Sequence, residues 1–210
     1  MQNNWIDISI AVMEDVTKWP TDPNFELKNF AAFEWGHPCD ASMVSMSVHT
    51  GTHIDAPAHF INGADRIGKW SPEITIGPCR VVNIDHPGYI TREELIELNI
   101  QAGERILFKT QNSATDWWHH PFNPEFVHFS EDAAAYIAEV KPACIGIDYV
   151  SVGGPENGPE VHRHILGAGV WIIESINLNH VEAGEYELIF MPVNLAMAEG
   201  APGRALLRKI

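Results

Sequence analysis

The segment HTGTHIDAPAHF, residues 49–60, constrains the fold most, because it holds three histidines and one aspartate within eleven residues. Residues 42–48 before it alternate in side-chain character as a strand does. If this strand continues, side chains two positions apart share one face. That face would carry His49, Gly51, His53 and Asp55. Pro57 ends regular pairing, so His59 can reach the face from another direction.

Histidine and aspartate in this pattern are typical of a metal site. Imidazole nitrogens and a carboxylate suit Zn²⁺ or Mn²⁺, and a glycine between the histidines leaves room for the ion. A lone histidine in a strand is more often structural, but the combination is far more specific than any single residue. We therefore predict one or two divalent ions per chain, bound through His49, His53 and Asp55. Thr50 and Thr52 would lie on the opposite face, where strand formation and local hydrogen bonds explain them.

A second candidate lies in the apolar segment GVWIIESI, residues 169–176, where Glu174 is the one charged side chain. Burial of an unpaired carboxylate is costly, so Glu174 needs a cation or strong donors if this strand is interior. An edge strand with Glu174 in water fits the spacing equally well. His162 and His164 lie just upstream in a predicted short helix, where one can face inward while the other faces away. The residues alone do not choose between these alternatives.

Hydrophobic periodicity and turn residues predict a mixed α/β or α+β fold, with helices packed on a sheet, in one domain of residues 1–210. Strands are predicted over residues 5–13, 42–48, 75–84, 105–110, 143–150, 169–176, 186–192 and 204–208. One helix opens with Thr91 and Glu94 in capping-box spacing. Two others cover residues 131–140 and 160–166, the latter ended by Gly167.

The charge balance limits the classes of partner. The chain has 28 acidic and 13 basic residues, a formal net charge of −15, and no basic patch, which excludes nucleic acid and anionic membrane surfaces. No apolar stretch approaches the roughly 20 residues that a membrane crossing needs, and the first residues lack a basic secretion-signal region. Three cysteines without a CxxC pair fit a reducing compartment. We expect a cytoplasmic protein that binds a small-molecule substrate.

The segment HTGTHIDAPAHF matches the signature H-x-G-T-H-x-D-x-P-x-H of the cyclase-like superfamily, which includes bacterial kynurenine formamidases and isatin hydrolases. The resemblance covers nearly the whole chain, through WIDIS, KWPTD, GIDYVSV, VHRHILGAGVWIIE, GEYELI and GAPGRALLR. It implies the swivelling β/β/α fold of that family and a homo-oligomer, either a homodimer or a homotetramer.

The resemblance also implies a role for each residue that matches the family. His49, His53 and Asp55 would hold one metal, and Asp55 would bridge to a second metal that His162 and Glu174 complete. His162 is preferred over His164 because it lies twelve residues before Glu174, which is the family's spacing. His59 corresponds to the acid/base residue of the family, and Trp19 to an aromatic side chain that contacts the substrate.

These assignments predict a hydrolase that cleaves a carbon–nitrogen bond of an amide, a formamide or a cyclic amide with a metal-activated water. His59, neutral near neutral pH, would take a proton from the water and return it to the leaving nitrogen. The chain departs from the formamidase branch, which carries D-T/V-P-S-x-D-P followed by two adjacent histidines. It has DYVSVGGPENGPEVHRH instead, which is more similar to a branch of general cyclase-like hydrolases.

Two other functions use the same residues. His53, Asp55 and a distal histidine would form the facial triad of a non-haem iron oxygenase or lyase, although His49 would fill a position that dioxygen chemistry keeps open. A binding module with a structural metal is the second alternative, for which cysteine ligands would be more usual. Two features remain open: Asp148 either orients a ligand or caps a strand, and residues 116–122, DWWHHPF, form either a lid or an interface loop.

Overall fold

Within residues 4–210, which the computed structural model describes, the chain forms twelve strands and four α-helices. The strands are β1 (Trp5–Asp7), β2 (Glu26–Ala31), β3 (Ala41–Ser45), β4 (His53–Asp55), β5 (Ile76–Asn83), β6 (Tyr89–Ile90), β7 (Arg105–Lys109), β8 (His128–Phe129), β9 (Cys144–Ile147), β10 (Trp171–Glu174), β11 (Gly184–Pro192) and β12 (Gly200–Lys209). The helices are α1 (Pro72–Thr75), α2 (Arg92–Glu97), α3 (Glu131–Val140) and α4 (Gly158–Gly167). The mixed α/β class predicted from the sequence is confirmed.

Eight of these strands form one sheet, in the order β1-β12-β11-β5-β7-β9-β10-β4. β4 also pairs with β12, so the strands from β12 to β4 close into a barrel-like sheet. The length of β12 allows this closure, because its first residues, 200–202, pair with β4 while residues 206–208 pair with β1. The closed sheet leaves β4 hydrogen-bonded on both edges.

The core has one layer on each face of the closed sheet. β5, β7, β9 and β10 are parallel, and α2, α3 and α4 occur in the connections between them. Ile172 packs in the cluster that includes side chains of these helices, whereas its neighbour Ile173 packs in the second cluster with Ile54 and Leu207. Strands buried on both faces explain the continuous apolar runs in the sequence.

Local signals placed the helices well. Thr91 accepts a hydrogen bond from the Glu94 amide, and the Glu94 side chain accepts one from the Thr91 amide, which confirms the capping box of α2. α3 has the predicted bounds, and the Ser130 hydroxyl caps it by accepting from the Ala133 amide. α4 begins two residues before the prediction and includes Gly167 as its last residue.

The predicted continuation of the strand at residues 42–48 is wrong. β3 ends at Ser45 and pairs only with β2, in a separate two-stranded sheet. A turn then intervenes, in which Gly51 has a φ of +70°, and β4 begins at His53. A Cβ at Gly51 would lie 2.5 Å from the Val12 side chain, so glycine is needed there for this close packing. Only His53 and Asp55 of the predicted ligand row share a strand face.

The strand predicted over residues 5–13 is also shorter in the structure. β1 ends at Asp7, and beyond it Ser9 forms a single bridge with Ile176. Among residues 4–210, no helix combines the length and the apolar character that crossing a bilayer requires.

The DWWHHPF segment packs against the chain's own core. Trp117 and Trp118 are buried in a third hydrophobic cluster with Tyr149. The Thr17 hydroxyl donates to the Trp117 carbonyl at 3.0 Å and also contacts the His120 carbonyl. This packing ties the segment to residues near the N-terminus and accounts for the burial of its tryptophans.

Candidate metal centre

The centre is built first from two neighbouring strands. β4 supplies His53 and Asp55, and β10 supplies Glu174, which lies directly opposite His53 in the antiparallel register. Opposite side chains lie on the same face, so all three point toward the helix layer. The Nε2 atom of His53 lies 3.3 Å from Glu174 Oε2 and 3.4 Å from Asp55 Oδ1. Glu174 is therefore buried in an interior strand, not solvated at an edge.

α4 packs over this face and contributes one histidine. The Nδ1 atom of His162 donates to the Gly158 carbonyl at 2.6 Å, one helical turn earlier, which directs Nε2 toward the strands. That Nε2 lies 3.3 Å from Glu174 Oε1 and 3.7 Å from Asp55 Oδ2. His164 is exposed. The structure thus brings His162 to the centre and leaves His164 outside it.

Two further histidines approach from the segments that flank β4. His49 lies in the turn before the strand, and its Nδ1 donates to Asp55 Oδ1 at 2.8 Å. His59 lies in the 3₁₀ turn Pro57–His59 and places its Nε2 4.0 Å from Asp55 Oδ2. The two imidazole rings stack with centroids 4.1 Å apart. Pro57 changes the direction of the chain as the sequence predicted.

Asp55 is common to two groups of candidate ligand atoms. His49, Asp55 and His59 form one group, and His53, Asp55 and Glu174 form the other, each with ligand atoms within 4.8 Å of one another. The sequence resemblance placed His59 only as an acid/base residue. Its position in the first group means that the geometry accommodates either role.

Hydrogen bonding supports a divalent ion at this place. The Nδ1 atom of His53 donates to the Gly51 carbonyl at 2.8 Å, which leaves Nε2 as the ring nitrogen that could bind a metal ion. Ligating histidines commonly donate their other ring nitrogen in this way. Within residues 4–210, the buried atoms His49 Nε2, His53 Nε2 and Asp55 Oδ2 have no hydrogen-bond partner. Such unpaired groups are costly, and a Zn²⁺ or Mn²⁺ ion would satisfy them.

The buried carboxylates of the centre stay ionised, which requires a positive charge nearby. Burial by itself would raise the pKa of Asp55, but the nearby His59 and His49 hold it well below its usual range. Burial would lower the pKa of His53, yet Asp55 and Glu174 raise it to about 10. The carboxylates thus remain charged in a buried place and attract a cation, a proton on imidazole or a metal ion.

His59 differs from His53 in its ionisation. Burial lowers the pKa of His59, and the effect of Asp55 does not fully offset it. Its imidazole is therefore neutral near neutral pH and able to accept a proton.

A cavity of about 230 Å³ opens beside the centre. Its wall includes predicted site residues, among them Trp19, whose ring meets Phe122 edge-on with centroids 5.3 Å apart. The full lining is Trp19, Asp22, His49, His59, Phe60, Val150, Ser151, Gly158, Pro159, His162 and Glu174. This size suits a small ligand with an aromatic ring.

Sequence reasoning missed several residues at this site. Asp22 and Ser151 line the cavity, although both lie in segments quoted for the resemblance. Glu199 places its Oε1 3.6 Å from His49 Nε2. A Cβ at Gly200 would lie 2.6 Å from the His49 ring, so glycine is needed for that close approach. The pairing of β12 with β4, which no local pattern reports, explains the last two omissions.

Asp148 accepts hydrogen bonds at the end of its strand. Its carboxylate accepts from the Thr110 amide and hydroxyl, both at 2.8 Å, and from the Ser113 amide at 3.2 Å. Among the described residues it has no hydrogen bond to a candidate ligand. The capping alternative is therefore the one that the structure supports.

The chain is similar to several known proteins. Residues 6–153 match the profile of a family described as "Putative cyclase". The kynurenine formamidase of Bacillus cereus is 32% identical over 209 residues, which cover 99% of each chain. A structure from Bacillus stearothermophilus described as a "predicted metal-dependent hydrolase" has a TM-score of 0.85 and 31% identity over 97% of each chain. Isatin hydrolase A from Labrenzia aggregata shares the fold, with a TM-score of 0.80, 21% identity, and coverage of 97% of this chain and 92% of that chain.

Proposed function

The chain belongs to the cyclase family, and from that premise we propose that it is a metal-dependent amide hydrolase that acts on small aryl formamides. One observation carries this proposal. The buried Asp55 Oδ2 has no hydrogen-bond partner in the described chain, yet it lies within 4.0 Å of the Nε2 atoms of both His59 and His162. A buried carboxylate oxygen among imidazoles is suited to bind a divalent cation.

We assign the metal ligands to His49, His53, Asp55, His162 and Glu174. Nitrogen and oxygen donors without a thiolate suit Zn²⁺ or Mn²⁺, and the sharing of Asp55 by two groups supports a second ion. A divalent ion bound there would acidify a water ligand and polarise the substrate carbonyl. The Glu174 carboxylate is held in place by the Val152 amide, which donates to Oε1 at 2.7 Å.

His59 is proposed to transfer the proton. Its ring lies on the cavity wall, and its lowered pKa leaves it neutral near neutral pH. The imidazole accepts a proton from the attacking water and delivers it to the leaving nitrogen, so that the amine departs as a neutral group. Trp19 and Phe60 on the same wall provide apolar contacts for an aryl ring.

The formamide class is proposed because full-length relatives are named kynurenine formamidases, even though the segment DYVSVGGPENGPEVHRH departs from that branch. The oxygenase and binding-module alternatives are not carried forward, since these relatives are hydrolases. The free cysteines also lie away from the centre: Cys39 is exposed, and Cys79 and Cys144 are buried in the barrel core.

The test is metal analysis followed by a substrate panel. We expect one or two divalent ions per chain, and formate release from an aryl formamide that is lost on chelation and restored by Zn²⁺ or Mn²⁺. Glu174→Gln should weaken one ion selectively, whereas Glu26→Gln, an exposed change of the same kind, should leave metal content as it is. A purified protein that holds no divalent ion and hydrolyses neither formamides nor lactams would overturn the proposal.

We also propose that the protein acts as a homodimer or homotetramer in the cytoplasm on a small-molecule substrate. The β2–β3 arm, residues 26–45, exposes large apolar side chains: Leu27, Phe30, Phe33, Trp35, Met43 and Val44. Apolar side chains grouped on an exposed element commonly mark an interaction surface. Light scattering should give a mass above one chain, and the double variant Phe30→Ser with Met43→Ser should lower it. A monomeric wild-type protein would refute the proposed assembly.

A further inference from the structure

The KWPTD segment forms a turn that presents two different groups to the cavity. The Asp22 amide donates to the Trp19 carbonyl at 3.0 Å, which brings the two residues to the same side of the turn. Both Trp19 and Asp22 then line the cavity beside the metal centre. An aromatic ring and a carboxylate side by side are a combination that binds cations.

Apart from histidines, the ionisable side chains that line the cavity are acidic. Asp22 and Glu174 are the acidic residues among the described residues that line the cavity, and no lysine or arginine lines it. Glu174 is already committed to the Val152 amide and to the imidazoles of the centre. Apart from the histidines and the metal ion assigned to the centre, a ligand with a negative substituent would therefore find no basic side chain to pair with on this wall.

The Asp22 carboxylate is free to bind a ligand. Within residues 4–210 it has neither a hydrogen-bond donor nor an ion-pair partner, and the residue is half-buried. Lys18 is near, but its ammonium donates to the Asp22 backbone carbonyl at 2.5 Å and forms no ion pair with the carboxylate. No group of the described chain therefore pairs with the carboxylate.

We propose that Asp22 is a specificity-determining residue that binds a cationic nitrogen on the substrate. The cavity would then prefer aryl amides that carry an ammonium group over matched neutral or anionic ones, an inference that rests on the proposed amide hydrolysis. Asp22 supplies the charge and Trp19 an aromatic surface for the cation. The net charge of −15 favours the approach of a cation and disfavours that of an anion.

The first test uses three formanilides that differ in one substituent: aminomethyl, ethyl and carboxymethyl. For the wild-type metal-loaded protein we expect kcat/KM to be about five- to tenfold higher for the aminomethyl than for the ethyl compound, the scale of one partly screened ion pair. In Asp22→Asn this ratio should fall toward one. In Asp22→Lys the order should reverse in favour of the carboxymethyl compound.

Asp15→Asn is the matched control, because Asp15 is exposed, lies outside the cavity and loses the same charge. Its rates and its ratio should equal those of the wild type. A wild-type protein without preference for the aminomethyl compound, or an Asp22→Asn variant that keeps the full preference, would overturn the role of Asp22.

A binding measurement separates this inference from the proposed reaction. Benzylammonium and benzyl alcohol, which contain no amide, are titrated into the metal-loaded protein by calorimetry. Preferential binding of benzylammonium that is lost in Asp22→Asn supports the cation site even if no formamide is hydrolysed, in which case only the proposed reaction fails. Equal binding of the two probes by the wild type overturns the cation site whatever the substrate panel shows.

Discussion

β3 and β4 are successive strands in the sequence, yet their environments are opposite. β3 is largely exposed and has β2 as its single partner, whereas every residue of β4 is buried between β10 and β12. Both segments have residues compatible with a strand. Their different burial shows that tertiary pairing, more than local alternation, decides what a strand of this chain can do.

Each strand also carries the kind of side chain that its environment ordinarily excludes. Buried β4 holds His53 and Asp55, while exposed β3 holds Met43 and Val44. Buried polar groups and exposed apolar groups are the informative exceptions to the usual distribution. The first exception marks the candidate metal centre, and the second marks the arm that we assign to subunit contact.

Of the substitutions in β3 and β4, Asp55→Ala should have the largest effect on metal content and activity. Because both ligand groups use this carboxylate, Asp55→Ala should strip the metal and lower kcat/KM by at least about 10³-fold. Elemental analysis and formate release measure the two effects. Ser45→Ala at the end of β3 should change neither. Stoichiometric metal in Asp55→Ala would show that the centre does not depend on β4.

His59 lies outside β4, and His59→Ala tests whether this residue is a metal ligand or an acid/base residue. We expect the variant to keep its metal and its fold and to lose about 10²- to 10⁴-fold in kcat, the contribution of a positioned proton donor or acceptor. Metal content and kcat are measured on the same preparation. Loss of metal would instead make His59 a ligand with His49 and Asp55, and full metal with near-normal kcat would remove it from the mechanism.

Stability separates the two strands without reference to activity. Ile54 is fully buried in the barrel core, so Ile54→Ala should lower the free energy of unfolding by about 2–5 kcal/mol. Val44 is half-exposed, so Val44→Ala should change it by less than about 0.5 kcal/mol in the isolated subunit. Urea denaturation gives both values. Similar losses at the two positions would mean that the arm is packed in solution as firmly as the barrel.

A smaller effect is expected where β12 passes the centre. Gly200→Ala should cost about 1–3 kcal/mol, because the added methyl group would contact the His49 ring and force it to move. The same variant should bind metal more weakly. Gly88→Ala is the control, since its nearest contact would be an ordinary 3.8 Å from His86. Unchanged stability and metal affinity in Gly200→Ala would show that His49 can move freely.

Much of this arrangement was accessible from the sequence, and the limits have physical causes. The α3 bounds and the α2 capping box depend on neighbouring residues, so local patterns predict them. Glu174 was a candidate because a carboxylate in an apolar strand needs a partner, and the family resemblance then selected it over a solvated edge position. The turn at Gly51 and the contact of Gly200 with His49 depend on segments far apart in the chain. No local periodicity carries that information.

The pairing of β4 with β12 bears on the order in which the chain can be assembled during synthesis. Every candidate ligand lies before residue 175, but the strand that completes the second edge of β4 begins at residue 200. Closing contacts between such distant segments is slow, because the entropy of a long loop must be overcome first. We expect a nascent chain that has emerged only as far as Glu174 to contain all the ligands without holding them in place. The segment that begins at residue 200 would then govern when the centre forms.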